Sequence, residues 1–388
     1  MRRLLACFAL LLTACAGQDD GGGGSGGGGS TFDPGPRSPL PAAWSTLDYY
    51  FGVELIDGTG FTGTSHNMPV KLAVAPDGRL FASVLDGSIL VYPAAAPYTP
   101  AVFATLPVLA GSEQGLLGIA LSPAFATDHY VYVMACVPNG MGNRQQVIRY
   151  TESGGVGTSP TVIVDNLPTG NTHNAGGLVF GADGKLYVSV GDVGTDTNSQ
   201  TSGSLAGRVL RFNPDGTAPT DNPLAAPDQF EYCRGLRNPF GMCVDGAGGS
   251  IVVSENGPNS NDELNFIRPG KNFEWGATSP VPGAQVGFRM RNWPTVIVPT
   301  GLTYHSGTDM PSAAYAQNIF LCSYEDLRIY RLEMYGSPPV NIGSEEVFGE
   351  FAVSGNANRP LDIVEGPGGD LYVSTFTQIW RIFRRTGP

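Results

Sequence analysis

Apolar residues along this chain come in short runs closed by Gly, Asp and Pro, and the runs come in pairs. Lys71-Leu-Ala-Val-Ala-Pro-Asp-Gly78 leads into Arg79-Leu-Phe-Ala-Ser-Val84. The same phrase returns as Leu117–Pro123 with Tyr130–Val133, as Leu178–Gly184 with Lys185–Val190, and as Phe240–Gly246 with Ile251–Ser254. Looser copies are Thr300–Tyr304 with Asn318–Leu321, and Leu361–Gly366 with Asp370–Ser374. Runs of this length, rich in β-branched and aromatic residues and bounded by turn formers, read as strands. Their Asp-Gly turns use residues that tolerate positive φ. Several copies add a third alternating strand carrying a basic residue, as in Gln146–Tyr150, Arg208–Phe212, Arg328–Leu332 and Gln378–Ile382. Residues 70–384 shared among six copies give about 52 residues each, the length of a four-stranded blade with its loop. One blade cannot bury both faces alone, and a closed ring of blades can. The pattern predicts an all-β, six-bladed β-propeller; a pair of β-sandwiches is the alternative.

Composition agrees with that class. Of 388 residues, 41% are hydrophobic and 14% charged, which excludes a disordered chain. The 54 Gly and 31 Pro exclude a helix-rich bundle, since both residues break helices. The net charge of −12 argues against a nucleic-acid partner, because phosphate contacts need clustered Lys and Arg. No apolar run approaches the roughly 20 residues that span a bilayer.

The N-terminus reads as an address and a tether. Arg2 and Arg3 precede the apolar run Leu4–Leu12, the form of a secretory signal. Leu12-Thr13-Ala14-Cys15 resembles a bacterial lipobox, which implies cleavage before Cys15 and lipidation of its thiol. The expected domains are a signal peptide at 1–15, a flexible Gly/Ser/Pro-rich tether at 16–43 and the propeller at 44–388. That makes the protein an exported lipoprotein of the outer membrane, periplasm or cell surface, touching membrane only through its lipid. An ordinary signal peptide with an incidental Cys is the plainer reading. Residues 21–30 repeat Gly-Gly-Gly-Gly-Ser, a flexible coil, either natural or engineered. Cys136, Cys233, Cys243 and Cys322 remain in the body, where export permits oxidation and three pairings are open.

Candidate chemistry sits in the loops between strands, where function concentrates. His173 lies in Asn171-Thr-His-Asn-Ala-Gly-Gly177, and Asp192 follows the next strand pair 19 residues on. A carboxylate beside an imidazole fixes its tautomer and raises its basicity. A capping His and a turn Asp are the plainer readings. Arg237, in Leu236-Arg-Asn-Pro-Phe-Gly241, suits an anionic ligand group or a structural ion pair. Ser254–Glu263 combines a Gly257-Pro258 turn, whose carbonyls are exposed, with Asp262 and Glu263; oxygen donors on irregular backbone suit Ca²⁺, and a hydrogen-bonded turn is the alternative.

In order, the stretches Glu113–Phe125, His173-Asn-Ala-Gly176, Leu186–Asp192, Gly207–Gly216, Gly235–Gly241, Glu255–Glu263 and Asn272–Gly276 resemble the soluble quinoprotein glucose dehydrogenase, aldose sugar dehydrogenase and sorbosone dehydrogenase family, to which Hedgehog-interacting protein is related. The resemblance implies a six-bladed propeller binding pyrroloquinoline quinone (PQQ) and Ca²⁺ at the channel mouth. It further implies oxidation of an aldose at C1 by hydride transfer to the quinone, then electron transfer to an unidentified acceptor. In that picture His173 is the general base, Asp192 orients it, and the carbonyls of Gly257 and Pro258 hold the metal. Arg237 and Asn238 contact the cofactor or the charge that develops in the reaction, and the family's Gln falls at Glu113 with Gln114 beside it. Three positions depart from the pattern. Gly177 stands where many relatives have Arg. Glu325 stands at about the position of a cofactor-binding Lys. Of a paired Arg-x-Arg only Arg359 is kept, the second position being Leu361. Base, orienting acid and metal loop are thus present, and part of the anion clamp is missing. A non-catalytic propeller that binds a glycan or a protein, and a Ca²⁺-dependent lactonase, are the alternatives.

Overall fold

The computed structural model describes residues 34–63, 66–138, 142–246, 249–277, 285–307, 315–336 and 339–386. The expected signal peptide and lipobox, and the Gly/Ser repeat, lie outside the described residues. No helix among those described is long and apolar enough to cross a membrane.

The chain folds as a six-bladed β-propeller. Six sheets, antiparallel except for two short parallel pairings at the outer edge of the third, carry the innermost strands Pro69–Val74, Leu116–Leu121, Leu178–Phe180, Pro239–Val244, Pro299–Tyr304 and Pro360–Glu365. Each innermost strand packs beside the next, and the sixth packs beside the first, so the ring is closed. Closure uses residues far apart in sequence. Phe51–Asp57 forms the outer strand of the last blade by pairing with Ile379–Arg384, and Trp44–Leu47 adds an edge strand to the fifth blade.

The core is not central; it is divided among the spaces between blades, which explains the unbroken apolar runs. Along Leu80–Val84, Leu80, Ala82 and Val84 pack against Ile56, Tyr372 and Ile379 of the last blade. Phe81 points the other way, into a cluster with Ile119, Val131 and Val133 of the second blade. Side chains alternate faces along a strand, so a strand with apolar neighbours on both sides needs apolar residues at every position. Near the axis the strands crowd. A Cβ on Gly118 would lie 2.3 Å from the Gly176 carbonyl oxygen, and one on Gly241 would lie 2.1 Å from that of Thr300.

The axis itself is plugged. Lys71 of the first blade pairs with the buried Asp362 of the sixth, Nζ to Oδ1 3.1 Å, and lies 4.3 Å from the ring centroid of Phe240 in the fourth blade. First and fourth blades face each other across a six-membered ring, so this contact crosses the channel. Burial pushes the Asp362 carboxyl up, and Lys71 opposes that push.

The four body cysteines are buried and unpaired. They sit on the second, third, fourth and fifth blades, each inside its own sheet, which explains why none finds a partner.

Candidate active site

Within a blade the innermost strand runs away from one rim and the second strand returns to it. Residues just before an innermost strand, or just after a second strand, therefore share that rim. Leu178–Phe180 pairs antiparallel with Leu186–Val190, which brings His173 and Asp192 to one end. By the same rule Glu113, Arg237, Gly257, Glu325 and Arg359 come to that rim.

His173 and Asp192 meet there. His173 Nδ1 lies 2.6 Å from Asp192 Oδ1. Asp192 is 2% exposed and the imidazole 17%, so the carboxylate is behind and the ring edge faces the mouth. Among the described residues Nε2 has no hydrogen-bond partner. With Nδ1 bonded to a carboxylate, Nε2 is the basic nitrogen of the neutral ring. Burial alone would raise the Asp192 carboxyl. The hydrogen bond and charge of His173, with the indole N–H of Trp275, hold it below the ordinary carboxylate value.

The backbone under this pair is strained. His173, Ala175 and Val193 adopt φ of 57°, 59° and 54°, in the left-handed region that L-residues avoid and a β-branched one avoids most. Several bonds hold it. Glu113 Oε2 accepts from the His173 backbone N–H at 2.7 Å, Asp192 Oδ1 accepts from Gly194 N–H at 2.7 Å, and the Asp192 N–H donates to the Arg237 carbonyl at 2.8 Å. Glu113 is thus a strut for the base, and burial raises its carboxyl against the opposing pull of His173. Gln114 is buried beside it, its side chain packed against Gly111.

Arg237 continues the site into the fourth blade. Its Nη1 donates to the carbonyls of Asn256 at 2.9 Å and Gly257 at 3.0 Å, and its guanidinium lies 5.6 Å from the Trp275 ring. Glu255 Oε1 accepts from the backbone N–H groups of Arg237 and Asn238, both at 2.8 Å. Burial pushes the Glu255 carboxyl up to about 8.

The metal candidates divide. Gly257 brings its carbonyl to the rim and Pro258 follows on the exposed turn. Asp262 is instead an internal brace: Oδ1 accepts from Gly257 N–H, and Oδ2 from Ile297 and Val298 N–H, all at 2.8 Å. Burial nonetheless raises it. Glu263 pairs with Arg289 at 2.9 Å. Among the described residues no three His, Cys, Asp or Glu side chains gather as a metal site. Of the loop carbonyls, those of Asn256 and Gly257 accept from Arg237 Nη1; the amide oxygens Asn238 Oδ1 and Asn256 Oδ1 are buried acceptors that have no donor, of the kind a hard cation takes.

Each of the three departures has its own setting in the structure. A Cβ on Gly177 would lie 2.6 Å from Ser189 Oγ and 2.7 Å from the Met242 sulfur, so a side chain here requires those two side chains to shift. Leu361 is buried with Tyr324 and Phe376. Glu325 holds Arg359: Oε2 to Nη1 is 3.1 Å, and the same nitrogen donates to the Tyr324 carbonyl at 2.8 Å. Arg328, which could have replaced the missing cation, pairs with Glu350 on the outer strand. Trp275, within the Asn272–Gly276 stretch, joins Asp192 to Arg237.

A family model described as Glucose / Sorbosone dehydrogenase matches residues 66–383. Quinoprotein glucose dehydrogenase B of Acinetobacter calcoaceticus is 31% identical over 240 residues, 54% of this chain and 50% of that protein. Aldose sugar dehydrogenase YliI of Escherichia coli (strain K12) is 25% identical over 339 residues, 79% of this chain and 86% of that protein. The solved structure of the PQQ-bound form of aldose sugar dehydrogenase from Streptomyces coelicolor superimposes with a TM-score of 0.70 at 26% identity, over 87% of this chain and 99% of that one.

Proposed function

The chain belongs to the glucose/sorbosone dehydrogenase family, and from that premise we propose that it oxidises an aldose sugar at C1 using PQQ and Ca²⁺ at the propeller mouth. The observation that carries the reading is the His173–Asp192 pair, whose second imidazole nitrogen edges the mouth beside Arg237 and the Gly257 turn. The residues fit the two groups at this end. Peptide and amide oxygens suit a hard cation, and the Arg237 guanidinium suits a carboxylate or developing oxyanion. When bound, the quinone supplies the two-electron acceptor, with Ca²⁺ polarising it as a Lewis acid.

The chain's own part is proton handling and orientation. His173 Nε2 takes the proton of the anomeric hydroxyl. Asp192 fixes the tautomer that makes this possible and stabilises the imidazolium that results. Arg237 and Asn238 line the approach, and Glu113 holds the His173 backbone. On the far side Arg359 is the second cation offered to an anionic cofactor, in competition with Glu325. An exported, lipid-anchored placement accords with Leu12–Cys15 and with the family's sugar chemistry.

The test is reconstitution. Purified protein with PQQ and Ca²⁺ should reduce a dye with an aldose donor, and His173→Ala should lower kcat by about 10²–10⁴-fold, the worth of a positioned base. A broad aldose panel without turnover, at quinone concentrations shown to saturate the protein, refutes the proposal.

A further inference from the structure

Asp192 has two carboxylate oxygens, and the second is not left to solvent. The indole Nε1–H of Trp275 donates to Oδ2 at 2.8 Å, from a residue 83 positions away. The opposite carboxylate oxygen holds His173 Nδ1 and the Gly194 N–H. Trp275 is half-buried, and the Arg237 guanidinium lies over its ring at 5.6 Å. One side chain therefore touches both the acid behind the base and the cation beside it.

The indole is itself rigidly held. Gln200 and Asn272 exchange amide bonds, Nε2 to Oδ1 at 3.0 Å and Nδ2 to Oε1 at 2.8 Å, and Gln200 Nε2 also donates to the Trp275 carbonyl at 2.7 Å. The Trp275 N–H donates to the Gly235 carbonyl at 3.0 Å. Beneath it the wholly buried Arg208 pairs with Glu231 at 2.7 Å and donates to the carbonyls of Asn198, Thr201 and Ala206, fastening the loop that leaves Asp192. A fixed donor aimed at a buried carboxylate costs no reorganisation when charge develops nearby.

We propose that Trp275 is a positioning residue: its indole N–H fixes Asp192 Oδ2 and keeps the carboxylate turned toward His173, while its ring lies under Arg237. The role rests on the sugar-oxidation reading for its consequence in turnover, and on the geometry alone for its consequence in Asp192. Without the donor, Asp192 Oδ2 is a buried acceptor with no partner. Its charge is then less favoured, and the carboxylate is free to rotate away from Nδ1.

The test is Trp275→Phe, which keeps the ring under Arg237 and removes the N–H, read first in protein without quinone or sugar. Carbon-13 NMR of the Asp192 carboxyl should show its titration moved to higher pH, with the melting temperature of the unloaded protein held within a few degrees. Trp275→His, which keeps a ring N–H, should restore the titration. In reconstituted protein kcat should fall about tenfold, the loss of one hydrogen bond to a charge, with KM for the sugar within twofold, and the acidic limb of the pH–rate profile should shift. An Asp192 titration in Trp275→Phe equal to wild type overturns the role. If Trp275→Phe fails to fold, a titration in Trp275→His that rises as it would without a donor overturns it instead. An inactive wild type with a moved Asp192 titration sinks the redox reading and leaves this one standing.

Discussion

Replacing Glu325 should tighten the hold of this protein on PQQ. The Glu325 carboxylate is 3.1 Å from the Arg359 guanidinium at the mouth, and their side chains are 34% and 13% exposed. Arg359 also donates to the Tyr324 carbonyl, and the Tyr324 N–H donates to the carbonyl of Val298, whose own N–H is held by the same Asp262 that holds Gly257. Arg359 thus borders the site, spent on an internal partner. At 4 Å and an effective dielectric of 20, two unit charges interact by about 4 kcal/mol; fully exposed pairs retain at most about 1 kcal/mol. A pair one-third exposed on one side falls between, at about 1.5 kcal/mol, or about tenfold in a dissociation constant. Glu325→Gln should therefore bind PQQ about tenfold more tightly at fixed Ca²⁺, and Glu325→Lys more tightly still. The assay is calorimetric or fluorescence titration of the purified protein, repeated at two salt concentrations, where the gain should shrink as ionic strength rises. Adding Arg359→Leu should cancel most of the gain. A Glu325→Gln protein whose affinity stays within twofold of wild type, or weakens, refutes the idea that this ion pair withholds a cation from the cofactor.

Two further outcomes concern stability. Glu255, pushed up to about 8 by burial, keeps a proton in the folded state that the unfolded chain releases above its ordinary value of 4.5, so stability should fall as pH rises across that window. Glu255→Gln should flatten the dependence, read as melting temperature against pH from 4 to 9, and an unchanged slope assigns the effect elsewhere. Lys71→Met leaves Asp362 buried without its cation and should cost about 3–5 kcal/mol in urea unfolding. Lys71→Met with Asp362→Leu should recover most of that loss, and a double variant as weak as the single one would contradict the pairing at the axis.

The repeated strand–turn–strand phrase was enough to read the propeller, because each strand faces two blades and its composition records both. Strand order then dictates the rim: a residue before an innermost strand and one after the second strand share an end, so His173, Asp192, Arg237 and Gly257 could be grouped from spacing. What spacing does not carry is contact between blades. That Phe51–Asp57 closes the ring, that Lys71 reaches Asp362 and Phe240 across the axis, that Trp275 holds Asp192 and that Glu325 holds Arg359 all join residues tens to hundreds of positions apart. Local periodicity reports only which side of a strand is wet or dry. The direction of a carboxylate, and whether a rim arginine is offered or already taken, depend on how neighbouring blades are packed, and so were decided by the closed ring.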